Sequence, residues 1–246
     1  MRIQGKFSRI IRIFLSKLQK VELVMNKLNE QYNSVSDYFS EIQSDYNKSS
    51  NERYYDFLQK IDFSGKIVID LGCGDGTDLI NFKESGAKVL GIDTSAGLAD
   101  MARSKGLDVR IADLSELDFP RSSIDIVTSK YALQTSHDLS KIFSGVLRIL
   151  KPGGIFYFLV VHPFRQFIEK KTPGADYFEQ TIVDSIIFDG SLTIKEPTHT
   201  MEHYINNDIL ESFKLIHYKE EADFFSAERI GGMNYPTFLV ICYEKK

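Results

Sequence analysis

The sequence predicts an α/β fold in which a doubly wound, mostly parallel sheet carries helices on both faces. Two observations predict it. From about residue 64 short β-rich runs alternate with helical stretches, and a glycine cluster at 72, 74 and 76 stands between the first run and the first helix. A third observation sets the scale: 246 residues, 43% hydrophobic and 26% charged, suffice for one large core with appendages and exclude disorder or collagen-like repetition.

The elements follow in order. Lys66 to Asp70 is an apolar run that ends in Asp-Leu-Gly-Cys-Gly-Asp-Gly, and Lys88 to Asp93 is a second run. Between them Thr77 to Ser85 has helical composition and closes on Gly86, a residue suited to a helix C-terminus. This is a βαβ unit. Ala96 to Lys105 then reads as helix, Asp108 to Ala112 and Ser123 to Ser129 as strands, and Asp138 to Leu150 as helix with Asp138 at its N-cap. Lys151-Pro152-Gly153-Gly154 makes a turn, and Ile155 to Val161 is apolar enough for a strand buried on both faces. Residues 164–200 interrupt the alternation with a hairpin, Ile182 to Phe188 and Ser191 to Lys195 around Asp189-Gly190, and this insertion is expected to act as a lid. Thr200 to Ser212 reads as helix, and Phe213 to Lys219 and Thr237 to Glu244 as closing strands.

Ahead of this domain, taken as residues 31–246, residues 1–30 form a separate arm. Apolar residues recur at Phe7, Ile11, Phe14, Leu18, Val21, Met25, Leu28, Tyr32 and Val35, the steps of four and three that mark one stripe of a helix. Ile10, Ile13, Leu15, Leu23 and Val24 widen the stripe, and the polar face is basic. Such a helix packs on its own domain, pairs with a second copy or lies on a membrane surface; alternatively, translation starts at Met25. No signal peptide or spanning segment fits, and a cytoplasmic location is expected.

Charge and cysteine count narrow the function. Residues 1–20 hold only basic charges, so the net charge of −4 leaves −10 for the rest, a balance that disfavours a phosphate backbone and hence a nucleic-acid partner. Two cysteines, Cys73 and Cys242, exclude a disulfide framework and cysteine-rich zinc sites.

The chemistry concentrates at strand ends, where doubly wound sheets bind ligands. Gly72, Gly74 and Gly76 supply a backbone that turns sharply and admits a ligand where a Cβ would clash. Asp93 ends the second strand, placed to accept from ribose hydroxyls, and Asp113 ends the third, placed to accept from a purine amine. A dinucleotide fingerprint requires glycine at the position of Thr77, which speaks against a nicotinamide cofactor, and Asp75 in the loop is poorly suited to a pyrophosphate.

In these motifs the chain resembles the class I S-adenosylmethionine-dependent methyltransferases, in the branch that holds small-molecule and ubiquinone-biosynthesis enzymes. Val68-Ile69-Asp70-Leu71-Gly72-Cys73-Gly74-Asp75-Gly76 is similar to the family's first motif, Gly91-Ile92-Asp93-Thr94-Ser95 to its second and Ile111-Ala112-Asp113-Leu114 to its third. Ile124-Asp125-Ile126-Val127 with Ser129-Lys130-Tyr131-Ala132-Leu133 is similar to the fourth-strand motif, and Leu147-Arg148-Ile149-Leu150-Lys151-Pro152-Gly153-Gly154 to the one before the fifth strand. The resemblance implies a Rossmann-like methyltransferase fold and S-adenosylmethionine as cofactor. It further implies that Asp70, Gly72, Cys73 and Gly74 hold the amino-acid portion, Asp93 with Thr94 the ribose, and Asp113 with Leu114 and Leu98 the adenine, with Ser129 at the fourth strand's end. Tyr32 to Tyr38 is similar to the family's N-terminal cover segment, so Tyr38 is expected over the cofactor.

Methyl transfer from a sulfonium is an in-line displacement that needs an aligned acceptor, and a base only where the acceptor loses a proton. Lys130, Tyr131 and His162 end strands four and five and face that site; His162 is a candidate base or a residue that positions the lid. His199 is a candidate that returns to the pocket, or else a cap or a surface residue, and His199 and His203 are too few to predict a metal. The Asn/Asp-Pro-Pro-aromatic motif of nitrogen-directed enzymes acting on nucleic acids and proteins is absent at Ser129-Lys130-Tyr131-Ala132. The expected reaction is therefore methylation of a small-molecule acceptor, at oxygen before carbon or nitrogen; the competing expectation is a non-catalytic cofactor-binding or assembly module of the same fold.

Overall fold

The computed structural model describes residues 31–46, 48–188, 191–222 and 230–246. The arm of residues 1–30 and the hairpin turn at 189–190 lie outside them. Two helices, α1 (Ser36–Tyr46) and α2 (Lys48–Leu58), open the described chain. There follow β1 (Ile67–Leu71), α3 (Thr77–Glu84), β2 (Lys88–Asp93), α4 (Ala96–Ser104), β3 (Val109–Ile111), β4 (Ile124–Lys130), α5 (Leu139–Ile149) and β5 (Leu150–Val161). The hairpin strands β6 (Ile182–Ile187) and β7 (Leu192–Pro197) pair antiparallel with each other, apart from the main sheet. Helix α6 (Asn207–Ser212) and strands β8 (Phe213–Glu221) and β9 (Phe238–Lys245) complete the chain.

The seven-stranded sheet runs β3-β2-β1-β4-β5-β9-β8, with β9 antiparallel to both its neighbours, β5 and β8, and the other six strands running the same way. Strand order reverses between β1 and β4, the crevice where such sheets take ligands.

Burial on both faces explains the apolar runs. Along β5, Phe156, Phe158 and Val160 enter one core with Phe143, Val146 and Tyr243, while Tyr157 and Leu159 enter the other with Tyr54, Leu58 and Phe82. Removing one such side chain costs about 3–5 kcal/mol for a phenylalanine. The helix caps are local: Ser95 accepts from Leu98 N–H at the start of α4 (3.3 Å), and Asp138 accepts from Lys141 N–H at the start of α5 (3.1 Å).

Three expectations are corrected and one region is new. The turn at 151–154 lies inside β5 as a bulge, where Ile124 and Ile126 face Leu150 and Ile155 and Gly153 takes a φ of +74°. The single helix expected over 200–212 is a 3-10 turn, Met201–His203, and then α6, because the Asn206 side chain caps Ile209 N–H (2.9 Å) and restarts the helix. The stripe through Val35 does not stay one helix: Asn33–Val35 is a 3-10 turn, and α1 begins afresh at Ser36. Residues 36–58 form two helices that the apolar spacing does not announce. Among the described residues no helix is long and apolar enough to cross a membrane.

Candidate active site

The crevice between β1 and β4 opens into a cavity of about 390 Å³. Its floor is made by strand ends and the turns after them. The turn after β1 is left-handed at Gly72 and Gly74 (φ +73° and +54°), and a Cβ on Gly72 would lie 2.1 Å from that of Ala132 after β4. At Gly74 a Cβ would meet no protein atom within 4 Å, so the backbone here borders open space.

Asp93 holds this turn from the next strand. Its Oδ2 accepts from Gly74 N–H and its Oδ1 from Ser95 N–H, both at 2.8 Å. Burial raises its pKa against those bonds. A carboxylate has about four acceptor sites, so this one keeps capacity for a ligand hydroxyl while lining the cavity. Asp113 lines it from the end of β3, accepting from Ser115 N–H (2.9 Å), and Leu98, Leu114, Thr94 and Cys73 lie along the same wall. Burial pushes the Cys73 thiol up and keeps it protonated. Cup, carboxylates and apolar wall together fit a purine nucleoside.

At the other end Lys130, the last residue of β4, sits 2.8 Å from Asp78 Oδ2 and 2.9 Å from its Oδ1. Tyr55 from α2 donates to Asp78 Oδ1 and accepts from Asn81 Nδ2 (2.9 Å); burial and then Asp78 push its phenol up. Tyr131 follows with a φ of +54°, a backbone state unusual for a bulky residue, held by its N–H to Leu159 O (2.7 Å) and by Gln134 Nε2 to its carbonyl (2.8 Å).

The cover comes from distant chain. Tyr32 and Phe39 line the cavity, stacked edge to face at 5.5 Å, and Phe188 of the hairpin packs on Phe39 at 5.4 Å. Gln31 bonds the backbone N–H and C=O of Lys195, both at 2.8 Å. Ser40 and Lys105 each reach Asp75 Oδ2 at 2.8 Å. Burial of Asp75 opposes its ionisation, but Lys105, Ser40 and Thr77 outweigh it and hold the carboxyl low.

Of the residues expected at the site, Gly72, Cys73, Gly74, Asp93, Thr94, Leu98, Asp113, Leu114 and Tyr131 line this cavity. Five do not. Asp70 is sealed below the floor, accepting from Thr128 Oγ1 (2.7 Å), with its pKa raised by burial and then by Asp78. Ser129 donates to Leu71 O (2.8 Å) and ties β4 to β1. Tyr38 points outward, 42% exposed, while its neighbour Phe39 turns in. His162, 3% exposed, accepts from Phe164 N–H at Nδ1 (3.0 Å), which places the ring proton on Nε2, donating to Glu220 (2.8 Å). It thus starts the helical turn Pro163–Arg165 at the root of the insertion, the positioning role, and burial lowers its pKa. His199 is buried against Gln134 O (3.1 Å), behind Thr135 and Ser136, its pKa pushed down to about 3 by burial and then by His203.

Phe39, Ser40, Asn51, Tyr55, Asp78 and Asn81 escaped the sequence analysis, whereas Tyr32 stood in the expected cover segment. Only a possible i, i+4 pairing of Asn51 with Tyr55, and of Thr77 with Asn81, could have flagged them.

Comparison with known proteins agrees with this geometry. Residues 69–158 match the methyltransferase domain family. The malonyl-[acyl-carrier protein] O-methyltransferase of Yersinia pestis is 34% identical over 97 residues, 39% of this chain and 36% of that protein. The demethylmenaquinone methyltransferase of Lactococcus lactis is 29% identical over 149 residues, 53% of this chain and 58% of that protein. The aligned stretches thus span less than two thirds of these relatives. An S-adenosylmethionine-dependent methyltransferase structure from Listeria monocytogenes superposes with a TM-score of 0.63 at 27% identity, covering 78% of this chain and 96% of that one. The chain thus holds a methyltransferase domain over residues 69–158 and is similar in fold to S-adenosylmethionine-dependent methyltransferases. It carries their domain and fold, and S-adenosylmethionine is its cofactor.

Proposed function

We propose that the protein transfers the methyl group of S-adenosylmethionine to an oxygen of a small-molecule acceptor. One observation carries the reading. Asp113, Asp93 and the glycine turn border one cavity in the order of strands β3, β2 and β1, the order of adenine, ribose and sulfonium along an extended cofactor. In this reading Asp113 and Leu114 take the adenine edge, Leu98 its face, Asp93 and Thr94 the ribose, and Gly72 to Gly74 the chain beyond it.

When bound, the cofactor supplies an electrophilic methyl on a sulfonium, and the protein's part is to align the acceptor and keep water out. Tyr32, Phe39, Tyr131 and Thr135 make an aromatic, partly polar edge suited to a small apolar or aromatic acceptor. With His162 and His199 off the cavity, neither histidine serves as the base. The name of the Yersinia relative supports oxygen as the acceptor atom, and the acidic body supports the exclusion of nucleic acid.

Calorimetric titration with S-adenosylhomocysteine, followed by transfer of labelled methyl into a cell extract, tests this. Binding at micromolar or better and label in a small-molecule fraction are expected. Folded protein that does not bind, or label confined to nucleic acid, overturns it.

A further inference from the structure

The family resemblance assigns the cofactor's amino-acid end partly to Asp70, yet Asp70 is 1% exposed and committed to Thr128. The zwitterion at that end, one ammonium and one carboxylate, needs other partners. The cavity supplies them beyond the glycine turn, where β4 lies next to β1.

Asn51 Oδ1 is buried with no hydrogen-bond partner while Asn51 lines the cavity. A buried acceptor left unpaired is costly, and a ligand donor is the group that satisfies it. Asp78 stands in the same cluster, since Asn51 lies one helical turn before Tyr55 on α2 and Tyr55 donates to Asp78. Its carboxylate has about four acceptor sites, and Tyr55 and the two Lys130 contacts occupy three. Lys130 has three protons to donate, of which Asp78 takes at most two. The cluster therefore keeps acceptors for a cation beside a donor for an anion.

We propose that Asn51, Asp78 and Lys130 form a clamp for the α-amino acid end of the cofactor, with Asn51 Oδ1 and Asp78 accepting from the ammonium and Lys130 donating to the carboxylate. Tyr55 is a positioning residue that holds Asp78, and Asn81 holds Tyr55. The clamp rests on the proposed cofactor orientation and extends it to residues that the first-strand motif does not contain.

Calorimetry on the full chain separates the two readings. The probes are S-adenosylhomocysteine, 5′-methylthioadenosine, which lacks the amino acid, and the decarboxylated analogue of S-adenosylhomocysteine, which keeps only the ammonium. Asn51→Ala and Lys130→Met are each expected to weaken S-adenosylhomocysteine about ten- to a hundredfold, the worth of a hydrogen bond to a charged group. Methylthioadenosine is expected to bind every variant within about twofold of wild type, which also reports that the variants fold. The decarboxylated analogue is expected to respond to Asn51→Ala and not to Lys130→Met. Variants that keep wild-type affinity for S-adenosylhomocysteine, or lose both nucleosides equally, overturn the clamp alone. A wild-type protein that binds none of the three overturns the cofactor orientation and the clamp with it.

Discussion

The floor and the cover of the cavity are held by different forces. The floor is main chain: strand ends in parallel register, the N–H groups of Gly74 after β1 and Ser95 after β2 that bond Asp93, and carboxylates fixed by the pleat. The cover is held through side chains across large sequence distance, Gln31 on the Lys195 backbone and Phe39 on Phe188, over a two-stranded sheet that among the described residues joins no other. A fold of this kind keeps its cofactor geometry in backbone bonds that cannot relax singly. It leaves acceptor geometry to contacts worth about 1 kcal/mol each, which can open for exchange.

The sharpest way to break that contrast is Asp93→Ala. Two backbone N–H groups lose their acceptor, costing roughly 1–3 kcal/mol each if water does not replace it, and the proposed ribose partner disappears. S-adenosylhomocysteine affinity should fall at least about a hundredfold in calorimetry. Unchanged affinity would show that the floor does not set cofactor binding.

Acidification distinguishes floor and cover by sign. Asp70, in the floor, has a folded pKa above its unfolded one, so it binds a proton on folding, stabilises the fold at low pH and loses that contribution as pH rises through the folded value. His199, buried against Gln134 O in the segment that follows the hairpin, is the reverse. Its folded pKa of about 3 lies below the ordinary 6.5, so its contribution is complete above 6.5 and is lost as pH falls from 6.5 toward 3. His162 acts in the same direction. Unfolding free energies of wild type and His199→Gln from urea titrations at pH 7.5 and 5 should therefore converge on acidification by about 2 kcal/mol, one proton over about 1.5 pH units. Asp70→Asn should change the slope in the opposite sense. A constant gap between wild type and His199→Gln would refute the buried neutral histidine.

These differences explain what was legible in the sequence. Asp93, Asp113 and the glycine turn were readable because strand, turn and helix are local patterns, and a carboxylate at a strand end has one place to point. The residues of the cover were not. Phe39 and Tyr38 are adjacent and chemically alike, and Phe39 turns inward where it packs on Tyr32 and on Phe188, far along the chain. Asp70 and His162 fail for a related reason. Both occupy the strand-end positions expected, but Thr128 and Glu220, which come from other strands, claim their polar atoms. Lys130 was visible at its strand end, whereas its partner Asp78 depends on how α3 is set against β4.

The smallest expected effect concerns the two pins of the cover. Phe188→Ala removes an edge-to-face contact of about 0.5–1.5 kcal/mol, and Gln31→Ala removes two exposed bonds to Lys195 of at most about 1 kcal/mol each. Neither touches the floor, so S-adenosylhomocysteine affinity should stay within about threefold of wild type. Hydrogen exchange in residues 31–40 should quicken in each variant, while the strands β1 and β4 keep wild-type protection. Because both pins hold one segment, either loss already frees it, and the double variant should exchange less than additively faster than the two singles. Strictly additive effects would mean that hairpin and N-terminal segment open separately, and loss of protection in β1 would mean that floor and cover are one cooperative unit.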